Sequence, residues 1–208
     1  MTEQRIEDAR QRAASYHYED GTIEVGHGAV YTALGLLLWI FDTISGSGEY
    51  KWLFAGAIIA FSLVSAVALV VLVKRYKEKI TFPRTGRVHY ERPANVELRD
   101  AGLLIGLSLL LAAGAVLFEG WFVSPPMIVG ATITLILFFT GLRAGLLRLK
   151  VLAFVPILIA IPAAYFGIDS TLGSALAIGG SGFASMLAGL LAMRRYLAAN
   201  PAPEDDEA

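Results

Sequence analysis

The sequence predicts an all-α transmembrane protein: a six-span helical bundle with both termini cytoplasmic and a small cytoplasmic β-hairpin between spans 2 and 3. Three observations carry that expectation. Apolar runs recur along the chain, which is 56% hydrophobic and 17% charged, against about 25% charged in soluble domains. Its mean hydropathy is +0.61. The cations are confined to alternate connections between those runs. The most basic connection, 74–99, alternates apolar and polar residues around a Pro-Arg-Thr-Gly turn.

Residues 1–21 are expected to form a cytoplasmic amphipathic helix resting on the bilayer surface. Ile6, Ala9 and Ala13 fall on one face, with Glu3, Arg5, Glu7, Arg10 and Arg12 around the rest. The first 28 residues hold charges and lack an apolar core, so no cleavable leader is expected and the first span directs insertion. Asp20 is placed to cap that span.

The membrane domain covers 22–199, with spans at about 29–43, 52–73, 101–118, 125–142, 151–166 and 172–193. Span 2, with 22 apolar-rich residues, covers roughly 33 Å as a helix, enough for the hydrocarbon core. Ser124 caps span 4, with Pro125 at the first helical position, where its missing N–H costs nothing. Span 5 is short and carries Pro156 and Pro162, which kink a helix or break it. Asp169 or Ser170 caps span 6. Residues 200–208, acidic and proline-containing, read as a disordered tail.

Orientation follows from the cations. With six spans, sixteen of the seventeen Lys and Arg residues fall on one side, and only Lys51 on the other. The positive-inside rule makes the basic side cytoplasmic, placing the chain in the inner (cytoplasmic) membrane with both termini inside. Lys74-Arg75-Tyr76 and Arg194-Arg195-Tyr196 read as boundary anchors at the inner ends of spans 2 and 6.

In the loop 74–99, Ile80, Phe82, Val88 and Tyr90 alternate with polar residues about Pro83-Arg84-Thr85-Gly86. That is the period of a half-covered strand, with turn chemistry at its centre. Lys79–Glu91 is therefore expected to be a hairpin. Lys79, Arg84, Arg87 and Arg92 give it a basic surface for a partner or for anionic headgroups, each charge worth about 1 kcal/mol beside an anionic leaflet. The plainer reading of the same charges is a topology signal.

Helix contacts are expected where small residues let backbones approach. Gly102 and Gly106 in span 3, and Ser181, Ser185 and Gly189 in span 6, are the candidates.

Little chemistry is written into the chain. It has no cysteine, which excludes disulfides and thiolate metal sites. Metalloprotease, P-loop, dinucleotide and nucleophile-elbow motifs are missing. Apart from Asp42, which ends span 1, no Asp, Glu, Lys, Arg or His falls between the expected caps of the spans, which argues against an ion-coupled pump. Glu24 and His27 share a helix face, and a mononuclear metal site from His17, Glu24, His27 and His89 is geometrically feasible. The plainer reading pairs Glu24 and His27 with each other and with Arg84 or Arg87. No cofactor is expected, and no nucleic-acid partner.

Two patches together are similar to a group of prokaryotic six-span integral membrane proteins of unknown function. One is Tyr18-Glu19-Asp20-Gly21-Thr22-Ile23-Glu24, leading into span 1. The other is Phe82-Pro83-Arg84-Thr85-Gly86-Arg87-Val88. A weaker third point is Arg195-Tyr196-Leu197 with Asn200-Pro201 and the acidic tail. The chain departs from the family's pattern at Arg87, where an aromatic is usual. The resemblance implies no activity. It implies that the Glu-Asp-Gly patch and the Pro-Arg-Thr-Gly turn form one cytoplasmic site, with Glu19, Asp20 or Glu24 paired to Arg84 or Arg87.

The leading functional expectation is a non-catalytic accessory or scaffold protein. Its partners are membrane lipids, another membrane or cytoplasmic protein, or a second copy in a homo-oligomer. The alternative is a small permease or channel for an uncharged or lipid-like solute. An enzyme acting on a lipid headgroup through Glu24, His27 and His89 is the third reading.

Overall fold

The computed structural model describes residues 18–44, 51–85 and 124–201. Helix α1 is Thr22–Ile44 and α2 is Lys51–Tyr76, which runs on through a π-helical turn, Lys77–Thr81, into the short α3, Phe82–Thr85. Helix α4 is Pro125–Ala144, α5 Leu147–Leu152, α6 Val155–Tyr165 and α7 Ser170–Ala199. Among the described residues, five stretches are long and apolar enough to cross a membrane: Thr22–Ile44, Gly56–Thr85, Pro125–Ala144, Leu147–Tyr165 and Ser170–Ala199. The expected third span, 101–118, lies outside the described residues, as do the N-terminal helix before Tyr18, most of the acidic tail, Gly102 and Gly106.

The expected hairpin is corrected over its described half. Lys79–Thr85 is helical, and no strand occurs among the described residues. Pro83 supplies a physical reason. In a regular α-helix its ring would press on the carbonyl four residues back, and it has no N–H to donate there. A widened turn is one way a helix carries a proline. Here the Phe82 N–H donates to the Lys77 carbonyl, five residues back. The apolar–polar alternation of Lys79–Phe82 is too short to separate strand from helix.

Helix ends follow local chemistry. Asp20 Oδ1 accepts from the Thr22 N–H at 3.1 Å, and Asp169 Oδ1 accepts from Thr171 and Leu172 at 2.8 and 3.3 Å. Those N–H groups sit in the first turns of α1 and α7, where a helix cannot satisfy them itself. Ser124 caps α4 through its backbone, accepting at its carbonyl from Met127 and Ile128, with proline in the first turn. Gly145, at φ +67°, ends α4 in the left-handed conformation that glycine adopts without strain. The expected link 143–150 is therefore mostly helical, and Arg148 stands in the first turn of α5. The helix breaks at Ala153–Phe154, just ahead of Pro156, while Pro162 is carried inside α6.

The centre of the fold is α1 packed antiparallel on α7. Gly21, just ahead of α1, and Gly28 and Gly35 on it recur every seven residues, and Ala175, Gly182 and Gly189 do so on α7. Seven residues make about two turns, so each series holds one face. A methyl added at Gly35 would lie 2.5 Å from the Gly179 Cα, and one at Gly189 2.7 Å from the Val25 nitrogen. The obstacles are backbone atoms, so they cannot swing aside. Ser181, Ser185 and Gly189, singled out above, are all buried on this helix.

Helices α4 and α6 flank α7. Gly130 of α4 meets Pro156 and Ala160, and Gly180 of α7 meets Ile159. Helix α2 touches α1 through Leu69 and Val73 beside Gly26. It also presents apolar surface, with Ile59, Leu63, Val64, Val67 and Val70 all at least 60% exposed.

These contacts fix the two ends of the bundle. The start of α1, the ends of α2 and α7 and the start of α5 meet at one end, the basic end. At the other, Gly173 of α7 packs on Pro126. Thr85 is thus at the basic end and Ser124 at the opposite one.

Candidate functional site

The basic end holds two buried carboxylates and the cations that face them. Asp20 is 1% exposed, and Lys77 and Thr81 are 5% and 2% exposed. Asp20 Oδ2 accepts from Thr81 Oγ1 at 3.0 Å and lies 3.4 Å from Lys77 Nζ. Asp20 therefore does two jobs: one oxygen starts α1, the other binds the end of α2. The π turn puts Lys77 and Thr81 on the side of the helix that faces Asp20. Two acids at the start of α1 and a lysine at the end of α2 also suit the helix dipoles.

Glu24, one turn into α1, is 4% exposed. Its Oε1 accepts from Arg148 Nε at 3.0 Å and from Nη2 at 2.7 Å. The same guanidinium donates to the carbonyls of Tyr18 and Glu19. Arg148 thus ties the start of α5 to the segment that enters α1, using the planar fork that lysine lacks. Glu24 Oε2 and Thr22 Oγ1 are buried without a hydrogen-bond partner among the described residues.

A second set of contacts closes the same end. Thr85 Oγ1 and the Tyr196 hydroxyl are 2.7 Å apart. Arg84 Nη1 donates to the Asn200 carbonyl at 2.8 Å, a free acceptor at the end of α7. Tyr196 is 8% exposed, so its ring faces inward and not, as expected, the boundary. Beside it lies a groove of about 440 Å³, lined in part by Glu19, Arg148, Leu191, Arg195, Tyr196 and Asn200.

The structure brings together part of what the sequence singled out and pairs it differently. Asp20 and Glu24 sit in one site, but Asp20 faces Lys77 and Glu24 faces Arg148. The expected partner Arg84 binds Asn200 instead, and Lys79 is exposed. His27 is exposed, its Nδ1 3.1 Å from the Ile23 carbonyl, whereas Glu24 is buried. Among the described residues no cluster of three or more His, Cys, Asp or Glu could hold a metal. His17, His89, Arg87 and Arg92 lie outside the described residues. Lys77, expected in the connection 74–99, stands in the π turn that continues α2, while Glu24 and His27 lie in α1, on a helix as expected.

Sequence reasoning missed Lys77, Thr81, Arg148, Tyr196 and Asn200 as site residues. For the α1–α7 contact the signal was present: two series of small residues, each with a spacing of seven. For Lys77 and Arg148 there was none beyond their being cations next to apolar runs.

Among the described residues the fold is helical throughout, with five stretches long and apolar enough to cross a membrane and a buried ion network at one end. No family model, curated protein or solved structure matches the chain.

Proposed function

We propose that the chain is a non-catalytic accessory or scaffold protein of the inner membrane, with six crossings and its basic end in the cytoplasm. That end binds an anionic surface, of a partner protein or of the leaflet. The observation carrying this reading is how the charges divide. Asp20, Glu24, Lys77 and Arg148 bind one another and hold helix ends together. Lys74, Arg75, Lys79, Arg194 and Arg195, at the same end, are exposed. Exposed cations at a membrane boundary attract anionic headgroups and acidic proteins alike.

Two further facts support the topology. The chain stands at the basic end at Thr85 and at the opposite end at Ser124, as a sixth crossing over 101–118 requires. Apart from Lys51 at the far end of α2, the cations of α2, α5 and α7 gather on one side, in keeping with the positive-inside rule. The backbone-to-backbone contact of α1 with α7 leaves no passage between those two helices, which favours a scaffold over a permease there.

Photo-crosslinkers installed at Lys79 and at Arg194 in living cells test the reading. A discrete protein adduct, or an adduct to anionic lipid, is expected at both sites and should weaken when the other exposed cations are reversed. Adducts that form at neither site, or are indifferent to charge reversal, overturn it.

A further inference from the structure

The groove beside Tyr196 has a chemistry that the ion network does not use. Arg148 is held by Glu24 and two carbonyls, and Tyr196 is held by Thr85. Two charged groups lining the groove remain available. Glu19 and Arg195 are both exposed, and neither side chain has an ion-pair partner among the described residues. One is a carboxylate and the other a guanidinium. Ala188, Leu191, Ala192 and Ala199 complete the lining with apolar surface. Its volume, about 440 Å³, lies within the range of about 300–1,000 Å³ typical of small-molecule sites.

The groove also opens onto a track. Phe183, Leu187, Leu191 and Arg195 follow one another at intervals of four on α7, which makes them a single ridge of the helix. The three apolar members are 50%, 45% and 58% exposed. From Phe183 to Arg195 the helix rises about 18 Å, close to half of the roughly 30 Å hydrocarbon core. An apolar ridge one leaflet long thus leads to a guanidinium, with a carboxylate lining the same groove.

We propose that this groove is a binding site for a zwitterionic phospholipid with a primary-amine headgroup. Arg195 receives the phosphate, Glu19 receives the ammonium, and an acyl chain lies along Leu191, Leu187 and Phe183. A purely anionic headgroup meets Arg195 but is repelled by Glu19. A quaternary ammonium offers Glu19 no N–H donor. The inference rests on the reading of the chain as membrane-spanning, because only then does the ridge face lipid.

The test uses the full chain purified in mild detergent, with bound lipid counted by native mass spectrometry during titration. Phosphatidylethanolamine should bind about tenfold more tightly than phosphatidylglycerol or phosphatidylcholine, the value of one charge-assisted hydrogen bond. Glu19→Gln should abolish that preference while phosphatidylglycerol still binds. Arg195→Gln should weaken all three lipids, and Leu191→Gln should weaken all three while soluble glycerophosphoethanolamine is unaffected. Equal binding of the three lipids by the unmodified protein, or a preference that survives Glu19→Gln, overturns the site. Carbonate extraction of the native membranes separates the two levels. A protein that stays in the pellet but shows no lipid preference sinks the groove alone, whereas one released by carbonate sinks the membrane reading with it.

Discussion

Thr81 donates to Asp20 across 61 positions of sequence, in a contact nearly closed to solvent and shared with Lys77. That one carboxylate both begins α1 and anchors the end of α2. Several measurable consequences come from it and from its neighbours.

Asp20→Asn leaves Lys77 buried without its countercharge. Losing one partner of a buried pair costs about 3–5 kcal/mol, so the unfolding midpoint in detergent should drop sharply. Lys77→Met should do the same by stranding Asp20. The double variant should recover much of the loss, because it removes both charges together. A strictly additive double variant would show that the two residues do not act as a pair.

Arg148→Lys keeps the charge but loses the fork that reaches Glu24 and the carbonyls of Tyr18 and Glu19. A loss of about 1–3 kcal/mol is expected, read as a lowered thermal midpoint. Unchanged stability would mean that a point charge suffices there.

Small-residue packing sets glycine against glycine. Gly182→Ala puts a methyl 2.5 Å from the Thr32 nitrogen and 2.8 Å from the Gly28 carbonyl oxygen, and overpacking of this kind costs about 1–3 kcal/mol. Gly56→Ala is the control. Nothing lies within 4 Å of its added methyl, and removing a mid-helix glycine stabilises by about 0.5–1 kcal/mol. Opposite signs in a denaturation series are expected, and equal effects would contradict the close approach of α1 and α7.

The cap at Asp169 gives a pH dependence. Hydrogen bonds from the Thr171 and Leu172 backbone lower its pKa below the ordinary carboxylate value. A lowered folded-state pKa contributes stability that is fully present above the unfolded value and is lost as pH falls through the folded one. The native protein should therefore lose stability on acidification relative to Asp169→Asn, which caps comparably but does not titrate. Parallel acid profiles for the two would remove Asp169 as the cause.

Topology is open to a direct check, since the chain has no cysteine of its own. A cysteine installed for Lys79 should escape an impermeant maleimide on intact cells, and one installed for Thr43, at the far end of α1, should react. The reverse pattern would invert the protein.

What the sequence disclosed was local. Ser124-Pro125 and Asp169 mark helix starts through side-chain and backbone chemistry within a few residues, and both stand where expected. The apolar run from Trp52 needs only its length to be read as a span. What stayed hidden depends on distant partners. The four residues Lys79–Phe82 alternate as a strand would, and Pro83 reads as a turn. Only Asp20, far upstream, gives Lys77 and Thr81 a reason to keep the helix going. Arg84 or Arg87 was the partner expected for Glu24, and Arg148 was missed, because charge alone does not say which helix end arrives beside which. The sevenfold spacing of Gly21, Gly28 and Gly35 was visible, but it gains meaning only against its counterpart on α7.

The widened turn at Lys77–Thr81 also works as a phase setter. Each residue of a regular helix turns the chain by about 100°, so excising one residue from this segment would restore ordinary geometry at the expense of aim. Arg84 and Thr85 would swing about a quarter of a circle away from Asn200 and Tyr196. A stretch of this protein that looks like a flaw in the helix is therefore what lets two latches, one within it at Lys77 and Thr81 and one beyond it at Arg84 and Thr85, close at once.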